Sequence, residues 1–262
     1  MKQSITALLN QKVKQYNQLS FIAKDPIVIP HAFKKQADIE IAGLFAAIFA
    51  WGNRTTIINK SNELLQRMDN APFEFCTQHQ DQDLRKLVGF VHRTFNDTDL
   101  LYFIAFLKQH YSNHASLQSA FFENYLSGEK IKSVEAALNH FHTYFFSLEL
   151  APKRTQKHIA FPMNGSTCKR LNMFLRWMVR KDAAGVDFGI WKAIKPADLI
   201  CPVDVHVARV ARAMGMIERK QTDWQTAVEL TNYCRTLDPM DPVKYDYALF
   251  SMGVNEKFQQ WK

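Results

Sequence analysis

Apolar residues recur along this chain every three or four positions, in runs long enough for helices and separated by short polar turns. Ile5, Leu8, Leu9 and Val13 share one face of a first helix over residues 1–18. Residues 25–31 carry Pro26 and Pro30 and read as an extended connector, because a proline biases its predecessor away from helix. Asp38 opens an apolar helix over 39–51, broken at Gly52-Asn53, and Thr55 or Thr56 caps the next one, to about Met68. A short helix starts at Pro72, and helical patterns follow at 81–92, 97–111, 115–126 and 131–148. Lys153 to Pro162 reads as a loop, and residues 164–167 as a turn with a cap. Further helices are expected over 168–180, behind Asp204, and over 224–237 and 243–252. No segment alternates as a strand does, so the pattern predicts an all-α protein.

The helix behind Asp204 has the sharpest start. Pro202 cannot sit inside a helix, Asp204 is a preferred N-cap, and Val207, Val210, Ala211 and Met214 recur at helical spacing before Gly215. A carboxylate so placed is fixed in direction, either as a cap alone or as the acid of an active site.

Nearly half of the 262 residues are apolar, enough for one large domain or two small ones. The N-terminal dozen residues are interrupted by polar ones and predict no signal peptide, and no apolar run approaches membrane-spanning length. Cys76, Cys168, Cys201 and Cys234 are scattered and read as reduced thiols of a cytoplasmic protein, with neither a metal site nor an iron–sulfur cofactor. The net charge of +8 is localised. Between Leu150 and Lys181 there is no acid but there are eight cations: Lys153, Arg154, Lys157, Lys169, Arg170, Arg176, Arg180 and Lys181. Those eight leave 25 basic residues against 25 acidic ones elsewhere. A basic block in an otherwise neutral chain is the electrostatic footprint of a polyanion partner, against the alternative of a solvated helix face.

Lys169 follows the Gly165 turn in the first turn of its helix, facing the positive pole of the macrodipole. The turn offers backbone N–H groups suited to a phosphate, through Gly165 and Ser166. An unprotonated lysine amine is a nucleophile for electrophilic carbon, and a fixed carboxylate beside it would stabilise a developing cation. Alone, a first-turn lysine is ordinarily a solvated charge, and an aspartate before a helix a cap.

The Gly-turn, the lysine-led helix Cys168–Phe174 and then Pro202-Val203-Asp204-Val205-His206-Val207 resemble the helix-hairpin-helix DNA glycosylase superfamily, most closely the archaeal 8-oxoguanine DNA glycosylases. The whole chain is also similar to a bacterial family of unknown function. The resemblance implies that Asp204 is the catalytic aspartate and Lys169 the lysine that attacks the sugar C1′ and forms a Schiff base. It places a base-pocket acid and aromatic at Asp246 and Phe250. At Ala50–Thr56 it places the residue filling the gap of an extruded base, Asn53, beside Trp51, which could stack a base or belong to the core. The usual Gly-x-Gly of the hairpin is missing here, and so is a C-terminal four-cysteine cluster.

Two helical lobes follow from this: residues 38–165, ending in the hairpin, and residues 1–37 with 166–262, carrying the Pro-Val-Asp element. A cleft between them would set Lys169 on one wall and Asp204 on the other. Lys153, Arg154, Lys157, Gly165, Ser166, Arg170 and Arg176 would hold the phosphates. The expected partner is double-stranded DNA with a damaged base, bound by a nucleoid-associated monomer without metal or cofactor. Excision of an oxidised base by an N-glycosylase/AP lyase is the function implied. The alternatives are a DNA- or RNA-binding protein of the same fold that does not cut, and a protein–protein scaffold. His110 and His114 read as a wet helix end rather than a zinc pair, and His206 as helix packing.

Overall fold

The computed structural model describes residues 4–256 and 258, so residues 1–3 of the expected first helix lie outside the described part. Among the described residues the chain forms thirteen α-helices, several one-turn 3₁₀ segments and one minimal β-hairpin. Two compact units result, one from Met1–Ala23 with Phe161–Lys262, the other from Lys24–Ala160. No described helix is long and apolar enough to cross a membrane.

Helix α1 (Ile5–Tyr16), capped by Ser4, and the single turn α2 (Leu19–Ile22) belong to the first unit. The second unit opens differently from the pattern's expectation. Residues 25–31 are two 3₁₀ turns, Pro26–Val28 and Pro30–Ala32, each with its proline at the first position. A proline there loses no hydrogen bond, and the Asp25 carboxylate accepts from the Ile27 N–H at 3.1 Å. Ile29 is helical despite the proline after it.

Helix α3 (Gln36–Phe49) is buried on every face from Asp38 onward, and α4 (Arg54–Arg67) packs against it. The cap of α4 is Asn53, two and three positions ahead of the threonines, its Oδ1 accepting from the Thr56 N–H. Next come α5 (Pro72–Gln78) and α6 (Asp81–Leu84). The helix expected over 81–92 stops there. After a 3₁₀ turn and Gly89, strands β1 (Val91–His92) and β2 (Phe95–Asn96) pair antiparallel. Strands of two residues are too short to show a period of two. Asn96 and Asp99 form a capping box for α7 (Asp97–Asn113), followed by α8 (Gln118–Phe122) and α9 (Val134–Phe145). A ring cluster from α3, the hairpin, α7 and α9 fills this core, Phe103 lying within 6 Å of Phe45, Phe95 and Phe145.

The first unit resumes with α10 (Lys169–Val179), α11 (Val205–Ala213), α12 (Trp224–Leu237) and α13 (Tyr245–Val254). Helix α13 packs against both α1 and α11. Its Gly253 makes that approach possible: a Cβ there would lie 3.0 Å from the His206 carbonyl oxygen of α11. Arg209 of α11 returns the contact, donating to the Gly253 carbonyl at 2.7 Å.

Candidate active site

Asp204 performs the capping its position predicts. One oxygen, Oδ1, accepts from the backbone N–H groups of His206 and Val207, both at 2.9 Å. The other oxygen, Oδ2, faces the Lys169 amine at 3.7 Å. The two side chains keep 23% and 21% of their surface open, so the pair is reachable from solvent without being fully wetted. The carboxylate therefore divides its work between two oxygens, one satisfying the helix and one left for the amine.

Lys169 and Asp204 belong to the same unit, Met1–Ala23 with Phe161–Lys262. Phe250 joins them, its ring centroid 5.3 Å from the Lys169 amine. Phe250 and Gly253 are three positions apart on α13 and so project from neighbouring parts of its surface. The same helix thus meets the first turn of α11 through Gly253 and the first residue of α10 through Phe250. That double contact is what sets the starts of α10 and α11 side by side.

The turn before α10 is built by conformation more than by composition. Gly165 is left-handed at φ +72°, and Cys168 is too, at φ +52°. The Ser166 hydroxyl accepts from the Cys168 N–H at 3.1 Å, and burial pushes the Cys168 thiol up to about 12. Arg170 is half-buried, and burial lowers its guanidinium to about 10 despite the neighbouring Cys168.

Two expected site residues serve another purpose. Asp246 is buried and ion-paired with Arg176, whose Nε also lies 3.3 Å from Asp187. Arg180 adds Asp187 at 2.9 Å, Asp241 at 2.9 Å and Asp182 at 2.6 Å. Burial alone would lower the Arg180 guanidinium, but Asp187 and Asp241 raise it above its usual value. Arg176 is only 3% exposed, so it is not a phosphate contact, and its partner Asp246 is not a free base-reading acid. A buried guanidinium needs counter-charge, and the acids that supply it lie beyond Lys181 in the sequence. The one-sided basic block is therefore partly an artefact of chain order.

The first three cations of the basic block lie in the second unit. Lys153, Arg154 and Lys157 are exposed on a 3₁₀ turn, Lys153–His158. Arg154 is also structural, donating to the buried Asp99 at 2.8 Å and to the Thr94 carbonyl at 3.1 Å. Asn53 is exposed at the start of α4, and Trp51 is half-buried two residues earlier. The Arg93 guanidinium covers the Trp51 ring at 4.5 Å from its centroid, an interaction hidden from sequence reasoning because the hairpin was hidden. His110 and His114 do stack, at 4.7 Å between rings, but His110 is buried and hydrogen-bonded to Tyr144 and Ser116. Among the described residues no group of three or more His, Cys, Asp or Glu is placed to hold a metal ion.

The family model described as a protein of unknown function, DUF2400, matches residues 25–255, and the chain belongs to that family. No curated protein and no solved structure matches the chain.

Proposed function

We propose that this member of the DUF2400 family is a helix-hairpin-helix DNA glycosylase with lyase activity, excising an oxidised base through Lys169. The observation that carries the proposal is the 3.7 Å approach of the Lys169 amine to an Asp204 carboxylate whose other oxygen is already fixed by its helix. The sequence resemblance to the glycosylases supplies the reaction class.

A base in a stacked duplex hides its sugar carbon, so the nucleotide is extruded before reaction. Asp204 takes up the ammonium proton and stabilises positive charge developing at C1′. The free amine attacks C1′, forming a C–N bond as the glycosidic electron pair leaves with the base, which takes the proton Asp204 had accepted and so restores the carboxylate. Loss of the nitrogen-bound proton and opening of the sugar, with O4′ taking the electron pair, leaves a Schiff base. Removal of a C2′ proton then expels the 3′ phosphate. Phe250, next to the amine, offers a ring face against the extruded nucleotide. Attraction between unit charges at this separation is about 1 kcal/mol in water and several times larger once substrate displaces solvent. Asp204 therefore acts mainly once substrate is bound.

The pairing of Asp246 with Arg176 favours a second reading, a DNA-binding protein of the same fold that does not cut, because it removes the base-reading carboxylate. Trapping with borohydride on duplexes carrying 8-oxoguanine, uracil or an abasic site separates the two. A covalent adduct on at least one of these duplexes, absent from Lys169→Gln, is the expected result. Salt-dependent binding with no adduct on any of them means the second.

A further inference from the structure

The β1–β2 hairpin turns through Arg93 and Thr94, and Arg93 sits at φ +57°. That is a conformation in which glycine or asparagine is ordinary and a long side chain is uncommon. Strain of this kind, held by its surroundings, points to a use for the side chain. The surroundings are specific. His92 anchors β1 by a ring-nitrogen hydrogen bond to the Phe49 carbonyl at the end of α3, at 3.0 Å. Gly52, at φ +104°, leaves the space that the guanidinium occupies: a Cβ there would lie 2.7 Å from Arg93 Nη1. The guanidinium rests on Trp51, is exposed, and forms no ion pair among the described residues.

The hairpin is also tied to the basic 3₁₀ turn, because Arg154 donates to the Thr94 carbonyl at 3.1 Å and Phe95 meets His158 edge-to-face at 5.0 Å. Lys153 and Lys157 on that turn are exposed and form no ion pair among the described residues. The Lys24–Ala160 unit thus presents three exposed cations on two linked elements, one of them pre-oriented on an indole. A planar guanidinium held in this way keeps its N–H donors for a tetrahedral anion and loses little side-chain entropy on binding.

We infer that Arg93, seated on Trp51, together with Lys153 and Lys157 forms a phosphate-binding surface for the backbone of double-stranded DNA. Trp51 here carries the arginine and does not stack a base. The choice of DNA over another polyanion rests on the proposed function; the surface does not.

Fluorescence anisotropy with a short duplex carrying a tetrahydrofuran abasic analogue, which cannot be processed, tests this across a salt series. Arg93→Gly is the informative variant, because glycine suits the left-handed turn and should fold with an equal or higher Tm. It should bind roughly ten-fold more weakly, as expected for loss of a hydrogen bond to a charged group, and flatten the slope of log K against log salt by about one. Arg93→Lys should keep the slope, and joint replacement of Lys153 and Lys157 by Ser should flatten it by about two. Unchanged affinity and slope in Arg93→Gly, or tighter wild-type binding to poly-glutamate than to the duplex, would overturn the inference. Failure of the chemistry is separable: wild type that binds through Arg93 but gives no borohydride adduct loses the lyase and keeps the surface.

Discussion

At the residue scale, Asp204 carries two roles that chemistry can pull apart. Asparagine keeps an oxygen for the N–H groups of His206 and Val207 but loses the charge facing Lys169. Asp204→Asn should therefore unfold within about 0.5 kcal/mol of wild type, whereas Asp204→Ala should lose about 1 kcal/mol with the cap. If the carboxylate serves the reaction, both should lower the lyase rate by roughly 10²-fold or more. Urea unfolding alongside single-turnover rates distinguishes the effects; equal stability loss in the two variants contradicts the division of labour. The cap was legible in the sequence because Pro202 and Asp204 announce it locally. The roles of Asp246 and Arg176 were not, because a residue's counter-ion is chosen by tertiary neighbours. Arg176 spans seventy positions to reach Asp246. Removing it with Arg176→Met leaves buried carboxylates uncompensated and should cost about 3–5 kcal/mol. A midpoint within error of wild type in denaturant would show the network to be dispensable.

At the element scale, α13 is the piece that assembles the site, and Gly253 is the residue that lets it do so. In Gly253→Ala the added methyl meets the backbone of His206 at 3.0 Å, where a flexible side chain cannot move aside. The expected cost is about 1–3 kcal/mol, with α13 displaced from α11 and Phe250 carried away from the amine. A heat-denaturation midpoint equal to wild type would contradict this packing. Long amphipathic helices such as α7 and α12 were legible from their periodicity, since burial of one face is written at every turn. The hairpin and the proline turns were not. Two-residue strands carry no period, and a proline that breaks one helix also begins another.

At the scale of the whole molecule, the all-α composition was plain, while the buried polar groups that hold it together were not. Glu40 is fully buried yet accepts from Tyr111, Ser116 and the Leu117 N–H at 2.6–2.8 Å. Nearby, His110 is buried with one ring nitrogen on the Tyr144 hydroxyl and the other on the Ser116 carbonyl, an arrangement suited to neutral imidazole. Burial lowers it from 6.5 to about 4, with the Ser116 carbonyl opposing and His114 adding to the drop. A depressed pKa gives stability that is complete above pH 6.5 and is lost as pH falls toward 4, because the unfolded chain takes up the proton first. At pH 5 His110 should account for about 2 kcal/mol of lost stability relative to pH 8. Urea titrations at both pH values should show that difference shrinking by about this amount in His110→Gln. An undiminished difference would assign the acid sensitivity elsewhere.

The most direct measurement concerns the Lys169 amine itself. Wild-type protein is incubated with duplexes containing 8-oxoguanine or an abasic site, reduced with borohydride and digested, and the trapped peptide is sequenced by mass spectrometry. The expected result is a sugar-derived mass increment on Lys169, lost in Lys169→Gln and strongly reduced in Asp204→Asn. An adduct on any other lysine, or none on either duplex from a protein that binds both, contradicts a Schiff-base reaction at Lys169.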